Sequence, residues 1–505
     1  MMDLVLTKII ATLGPASAGV ERIRLLIHEG VRVFRVNFSH GTIRGFSERV
    51  ANVRQASAET GIPVAVLGDL SGPKIRVGQV AGDGIMLEPG MNVEFIRYDI
   101  EASLPGEGPV VFSSTLPQLI DEVLPGQRVM LDDGNVSLIC TERLPDRIVC
   151  EVIDGGLITS KKGINLPDTK LSVPVLTDWD HECIEFAVDA KIDYLALSFV
   201  RSAGDVRLLK KRLAELGARP FEPIRYREAD LKDKPDDFLF IPVISKIEKP
   251  QAMDDLDAII EESDGIMIAR GDLGVEMDVA EVAVLQKRII SACHDHGVPV
   301  IVATQMLQSM IDSPSPTRAE VSDVANAIFD GVDAVMLSGE TAVGSYPAST
   351  VRIMSRIARL TNRYILNQKI SHPIPRVMQE SKYRSAALAL GVKSIVHDID
   401  ARLIFVWTRL GGGALYLSQL DMPRPIIACS PHPATLNRLA LLYGVHPVLM
   451  EPPEHSSDFI RRADEMILQN GWASKGEPVV FVYGKPIKSS GLTNTVYIHY
   501  VGDFE

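Results

Sequence analysis

Lys246 and Glu248, in Ile244-Ser245-Lys246-Ile247-Glu248, and Asp272, in Ala269-Arg270-Gly271-Asp272-Leu273-Gly274, stand at or just beyond the ends of two consecutive apolar runs, Phe240–Ser245 and Gly265–Ala269. Each run has the length and flanks of a buried parallel strand, so the three groups should project from strand carboxyl ends, where α/β enzymes carry their chemistry. Glu248 and Asp272 can then share one hard cation. Mg²⁺ takes one or two carboxylates plus substrate oxygens, and a neighbouring lysine would neutralise charge on a transferring group. That set fits a metal-assisted phosphoryl or enolate site. The alternative is an ion-pair cluster at a barrel rim, and the placement of both segments at strand ends rather than on helix faces favours the chemical reading.

Eight apolar runs alternate with amphipathic stretches: Lys8–Leu13, Val31–Phe38, Pro63–Leu70, Tyr194–Val200, Phe240–Ile247, Asp264–Ala269, Pro299–Met306 and Asp333–Leu337. The pattern predicts a (β/α)₈ barrel. The gap between the third and fourth runs is far too long for one βα unit. From Arg76 to Asp168 it holds turns such as Glu88-Pro89-Gly90 and Asp132-Asp133-Gly134-Asn135 between short strands, which predicts an inserted small β-barrel cap. A helix over about 348–367 leads to a second alternation, Leu403–Trp407, Pro425–Cys429, Val479–Tyr483 and Val496–Val501, read as a separate open α/β domain. The expected division is barrel 1–75, cap 76–168, barrel 169–360 and C-terminal domain 361–505.

Composition fits this division. A chain of 505 residues suggests about three to four domains. The formal charge, 52 − 65 = −13, argues against nucleic-acid or anionic-membrane binding, since both need a basic footprint, so phosphorylated ligands must be captured locally. Five cysteines without a C-x-x-C pair favour reduced thiols and a cytoplasmic protein. Neither a cleavage pattern nor an apolar run of about 18 residues is visible.

Further motifs accompany these segments in order: TKIIATLGPAS at 7–17, RVNFSHG at 35–41, GPKIR at 72–76, SKKGINLP at 160–167, ATQML at 303–307, PTRAE at 316–320 and MLSGET at 336–341. Taken together they resemble the pyruvate kinase family along nearly the whole chain. The resemblance implies phosphoryl transfer from phosphoenolpyruvate to ADP, giving ATP and an enolate that is protonated to pyruvate. It implies Mg²⁺ or Mn²⁺ on Glu248 and Asp272, catalytic roles for Lys246, Arg35 and Thr304, and substrate contacts from Arg35, Ala269, Arg270, Gly271, Asp272 and Thr304. ADP phosphates would meet Asn37, His40, Arg76 and Lys162 of a closing cap. A cytoplasmic, allosteric homotetramer is the implied assembly. A Mg²⁺-dependent lyase or decarboxylase acting on related acids is the rival class, and it would need neither Arg76 nor Lys162.

The chain departs from the family pattern in several places. Asn37, Ser39, Asp69 and the Leu70 backbone match its monovalent-cation ligands, yet Lys74 stands where K⁺-dependent members carry glutamate, and Leu70 and Val77 replace threonines. The expectation is that the Lys74 ammonium substitutes for K⁺, which is then not required. Gly45 replaces an adenine-stacking aromatic. The effector loop reads Thr408-Arg409-Leu410-Gly411-Gly412-Gly413, lacking two hydroxyls, so fructose 1,6-bisphosphate should activate poorly even with Lys485, Lys488, Ser489 and Ser490 in the late loop. Pro220–Asp237 reads as a charged, proline-containing insertion.

Overall fold

The computed structural model describes residues 5–103, 108–218, 239–381, 383–487 and 493–503. The Pro220–Asp237 insertion and Lys488, Ser489 and Ser490 lie outside the described residues. The eight apolar runs are the strands β1 (Lys8–Thr12), β2 (Val31–Asn37), β3 (Ala65–Asp69), β4 (Tyr194–Leu197), β5 (Val243–Ile247), β6 (Gly265–Ala269), β7 (Val300–Ala303) and β8 (Ala334–Leu337). They pair in parallel with their neighbours in chain order, and β8 closes on β1.

Both faces of most of these strands are covered, which is why they read as near-continuous apolar runs; β2, Val-Arg-Val-Phe-Arg-Val-Asn, departs from this with Arg32, Arg35 and Asn37 half-buried. Ile10, Val33, Leu67, Ala196, Ile244, Met267, Ile301 and Met336 fill the interior. Leu441 of the C-terminal domain joins the same cluster and plugs the end of the barrel remote from the strand carboxyl ends. Outer helices start and stop on local signals. Thr42 caps Ile43–Thr60, which ends at Gly61 with φ +67°, and Thr177/Asp180 and Thr317/Glu320 form capping boxes on Asp178–Asp189 and Arg318–Phe329.

Between β3 and β4 the chain forms a seven-stranded sheet with the spatial order Ile75–Arg76, Gly163–Asn165, Arg128–Leu131, Val136–Arg143, Arg147–Asp154, Asn92–Ile96, Val110–Ser113, beside two two-stranded ladders. The outer strands meet through a single antiparallel bridge, Val77 opposite Ser114, so the sheet rolls round Phe95, Phe112, Val129 and Leu138. This is the small barrel expected from the turns, closed among the described residues by that bridge. The helix Pro347–Asn367 runs continuously through residue 360.

The C-terminal sheet has five strands, in the order Val445–Leu449, Ile426–Ser430, Ile404–Trp407, Pro478–Tyr483, Thr495–Tyr500, the last antiparallel. Four correspond to the runs read from sequence. Val445–Leu449 has no counterpart among them, because His446 and Pro447 interrupt its apolar character and, as an edge strand, it is only partly buried. All five cysteines are buried and free.

Candidate active site

Lys246 is the fourth residue of β5, Glu248 follows that strand directly, and Asp272 is the third residue of the helix Arg270–Glu276, which begins where β6 ends. The barrel places all three at the strand carboxyl ends. Lys246 Nζ lies 2.7 Å from Glu248 Oε1 and 3.2 Å from Asp69 Oδ1, and donates to Ser198 Oγ at 2.9 Å. Arg35, near the end of β2, donates through Nε to Asp69 Oδ2 at 2.6 Å and through a terminal nitrogen to Thr12 Oγ1 at 3.2 Å. Asp69, at the end of β3, thus sits between two cations. Among the described residues its Oδ1 makes no hydrogen bond of good geometry, so its contact with Lys246 is electrostatic.

Burial would drive the Lys246 proton off, but the charges of Asp69 and Glu248 outweigh it and hold the ammonium protonated above the usual lysine range. Burial would likewise raise the Asp69 carboxyl, and Lys246 and Arg35 reverse this to keep it low. Glu248 behaves differently. Desolvation, helped by the nearby charge of Asp272, lifts its carboxyl above the ordinary value despite Lys246 and a 2.8 Å hydrogen bond from the Phe199 N–H. Two carboxylates that repel across a partly dry space are a donor set suited to a divalent cation. Among the described residues no group of three or more His, Cys, Asp or Glu side chains is placed to hold a metal, so substrate or water oxygens would have to complete the coordination of an ion held by this pair.

Thr304, just past β7, has φ +68°, a conformation rare for a β-branched residue. Its hydroxyl accepts the Gly271 N–H at 2.7 Å and donates to the Ala303 carbonyl at 2.6 Å. A side chain at Gly271 would press on that hydroxyl, since a Cβ there would lie 3.3 Å from it. Ala269 closes β6. The Arg270 guanidinium turns to Asp323, 2.7 Å away, and to the Thr304 carbonyl at 3.1 Å. Arg270 is thereby anchored by its side chain and offers its backbone to the site.

Over these groups the cap and barrel enclose a cleft of about 350 Å³, lined by His40, Lys74, Arg76, Lys161, Lys162, Arg201 and Lys249 against Asp132, Asp133 and Asp272. An acidic chain therefore carries a cationic cleft. His40 is held below its ordinary value by burial first and then by Lys74, Arg76 and Arg35. Arg76 donates to the Lys161 carbonyl at 2.9 Å, and Lys162 pairs with Asp132 at 2.5 Å. Asn37 Oδ1 accepts the Ser39 N–H at 3.0 Å, and the Leu70 carbonyl accepts the Ser198 hydroxyl at 2.6 Å. Lys74 is exposed on the cleft wall and, among the described residues, makes no ion pair with Asp69.

Sequence reasoning passes over Ser198 and Phe199, which bind Lys246 and Glu248. Their only signal is their place directly after β4. Arg201, Lys249 and Glu276 are also missed.

Comparison with known proteins gives one consistent result. Residues 5–220 and 231–351 match the family model described as pyruvate kinase, barrel domain, and residues 386–499 match pyruvate kinase, alpha/beta domain. The chain is 37% identical over 497 residues to the pyruvate kinase of Corynebacterium glutamicum, covering 98% of each chain. It is 37% identical over 496 residues to that of Mycobacterium tuberculosis, again 98% of each. With the pyruvate kinase of Methylorubrum extorquens the figure is 39% over 500 residues, 98% of this chain and 97% of the relative.

Proposed function

The chain belongs to the pyruvate kinase family, and we propose from that premise how its own residues divide the work. It transfers the phosphoryl group of phosphoenolpyruvate to ADP, giving pyruvate and ATP. The family generally uses Mg²⁺ or Mn²⁺.

Our reading rests above all on the buried ammonium of Lys246, wedged between Asp69 and Glu248 at the open end of the barrel. Fixed there and permanently charged, it stabilises the negative charge that develops on the transferring group and on the enolate left behind. Arg35 directs its planar fork at phosphoryl oxygens while Asp69 holds it in place. Glu248 and Asp272 hold the divalent ion, which when bound supplies Lewis-acid stabilisation of the enolate. The Gly271 N–H and the Thr304 hydroxyl, bonded to each other without substrate, are the donors available to the substrate carboxylate, beside the backbone of Ala269, Arg270 and Asp272. Thr304 also orders the water that protonates the enolate. Asn37, His40, Arg76 and Lys162 take the ADP phosphates, and the cap covers them and excludes water.

For the monovalent site we propose that no K⁺ is needed. Asp69 already faces two fixed cations, Asn37 Oδ1 and the Leu70 carbonyl already accept hydrogen bonds, Ser39 closes the set, and Lys74 adds fixed charge at the cleft wall. We further propose a homotetramer working in the cytoplasm, where five unbridged buried thiols are at home. The working units are the barrel (1–75 and 169–360), the cap (76–168) and a regulatory domain (361–505). No helix among the described residues is long and apolar enough to cross a membrane. A coupled assay of phosphoenolpyruvate with ADP and Mg²⁺ tests the reaction. Pyruvate formed from oxaloacetate, with no ATP formed from phosphoenolpyruvate and ADP, would mark the lyase class instead.

A further inference from the structure

Beside the two metal-site carboxylates, at the wall of the cleft, lies an ion pair that the phosphoryl chemistry leaves unused. Lys249, the residue after Glu248, is 9% exposed, and its ammonium pairs with Glu276, 1% exposed, at the far end of the helix that carries Asp272. The same carboxylate oxygen, Oε1, accepts a 2.8 Å hydrogen bond from Nδ2 of Asn165, in the last strand of the cap. Oε2 of Glu276 is buried and has no hydrogen-bond partner among the described residues. Lys249 Nζ also stands 6.0 Å from the ring centroid of Phe199, whose N–H holds Glu248.

A buried ion pair with an unsatisfied oxygen contributes little to stability, because the desolvation of both charges offsets their attraction, and an apolar pair of similar volume would serve the fold as well. Its placement points to another role. Glu248 and Asp272 are like charges, one directly after β5 and the other on the helix that follows β6, and their repulsion pushes apart the two segments that carry them. The attraction between Lys249 and Glu276 joins those same two segments and opposes the push. The cap meets the same helix through Asn165 and through its 132–135 turn, where a Cβ on Gly134 would stand in ordinary van der Waals contact with Val275 Cγ1, 3.4 Å away.

We propose that Lys249 and Glu276 are positioning residues: they fix the spacing of Glu248 and Asp272 before the divalent ion arrives, and through Asn165 they tie that spacing to the seating of the cap. Partners behind a metal ligand that orient it are commonly worth about 10- to 100-fold in affinity. The inference rests on the reading that Glu248 and Asp272 hold the ion, so the test separates the two.

Mn²⁺ binding to the substrate-free protein is measured by electron paramagnetic resonance, independently of turnover, for wild type, Glu276→Gln, Asn165→Ala, Asp272→Ala and the double variant Lys249→Met/Glu276→Leu. The double variant replaces the charges with apolar groups, so its fold survives if the role is positional. Expected are a rise of about tenfold in the Mn²⁺ Kd for Glu276→Gln and for the double variant, whose melting temperature matches wild type, and a rise of about threefold or more in the KM for ADP in Asn165→Ala. If the folded double variant binds Mn²⁺ within threefold of wild type while Asp272→Ala does not, the positioning role is overturned and the metal assignment stands. If Asp272→Ala itself binds within threefold of wild type, the metal assignment falls.

Discussion

Replacing Lys246 with Met keeps most of the side-chain volume and removes one buried charge. The ammonium touches carboxylate oxygens at 2.7 and 3.2 Å, so a phosphoryl oxygen in the same place would put opposite charges about 4 Å apart between their centres, worth roughly 4 kcal/mol at an effective dielectric of about 20. At about 1.36 kcal/mol per decade, kcat should fall on the order of 10³-fold. Asp69 keeps Arg35, but Glu248 loses the ammonium 2.7 Å away that neutralises it, so its already raised carboxyl should climb further and metal binding should weaken most at low pH. The assay is rapid-quench measurement of ATP formation at saturating phosphoenolpyruvate, ADP and Mg²⁺, with near-ultraviolet circular dichroism to establish that the variant is folded. A folded Lys246→Met enzyme within tenfold of wild type would refute the argument that this ammonium carries transition-state charge.

Three further outcomes are expected. Glu248→Ala and Asp272→Ala should each raise the Mg²⁺ concentration for half-maximal rate steeply, because the ion is left one carboxylate short, and an unchanged metal titration would exclude that residue as a ligand. Wild type should be nearly as active in tetramethylammonium as in K⁺ at matched ionic strength, and Lys74→Glu should create a K⁺ requirement, whereas tenfold or greater stimulation of wild type by K⁺ would defeat the charge-substitution reading. His372 is raised above the ordinary histidine value, chiefly by its 2.9 Å hydrogen bond to Asp421 in the C-terminal domain and against some desolvation. A raised folded value means that its stabilisation is fully present below the ordinary histidine range and is lost as pH rises through the folded value. Thermal melts should therefore place His372→Gln below wild type at about pH 5.5 and level with it at about pH 9, and an equal deficit at both would rule out the charged contact.

Much of this protein is legible in its sequence because the information is local. A strand buried on both faces is apolar at most positions, so most of β1 to β8 stand out as Val/Ile/Leu/Ala runs, and the residues at their carboxyl ends become candidates by position. Lys246, Glu248 and Asp272 can be grouped from spacing alone. Other features depend on segments distant in the chain. The pairing of Arg35 and Lys246 about Asp69 joins β2, β3 and β5, and nothing in the Asp69 neighbourhood announces which cations it will meet. Ser198 and Phe199 gain their roles only because β4 lies between β3 and β5. The partly buried edge strand Val445–Leu449 carries a weak apolar signal, since an edge needs less covering than a centre. Lys249, Glu276 and Asn165, far apart in sequence and unremarkable as residue types, meet only when the cap folds onto the barrel. The sequence determined which elements form and which chemical groups they carry, through periodicity and burial. The tertiary structure decided which charges face one another, because electrostatic contact depends on distance through space and not along the chain.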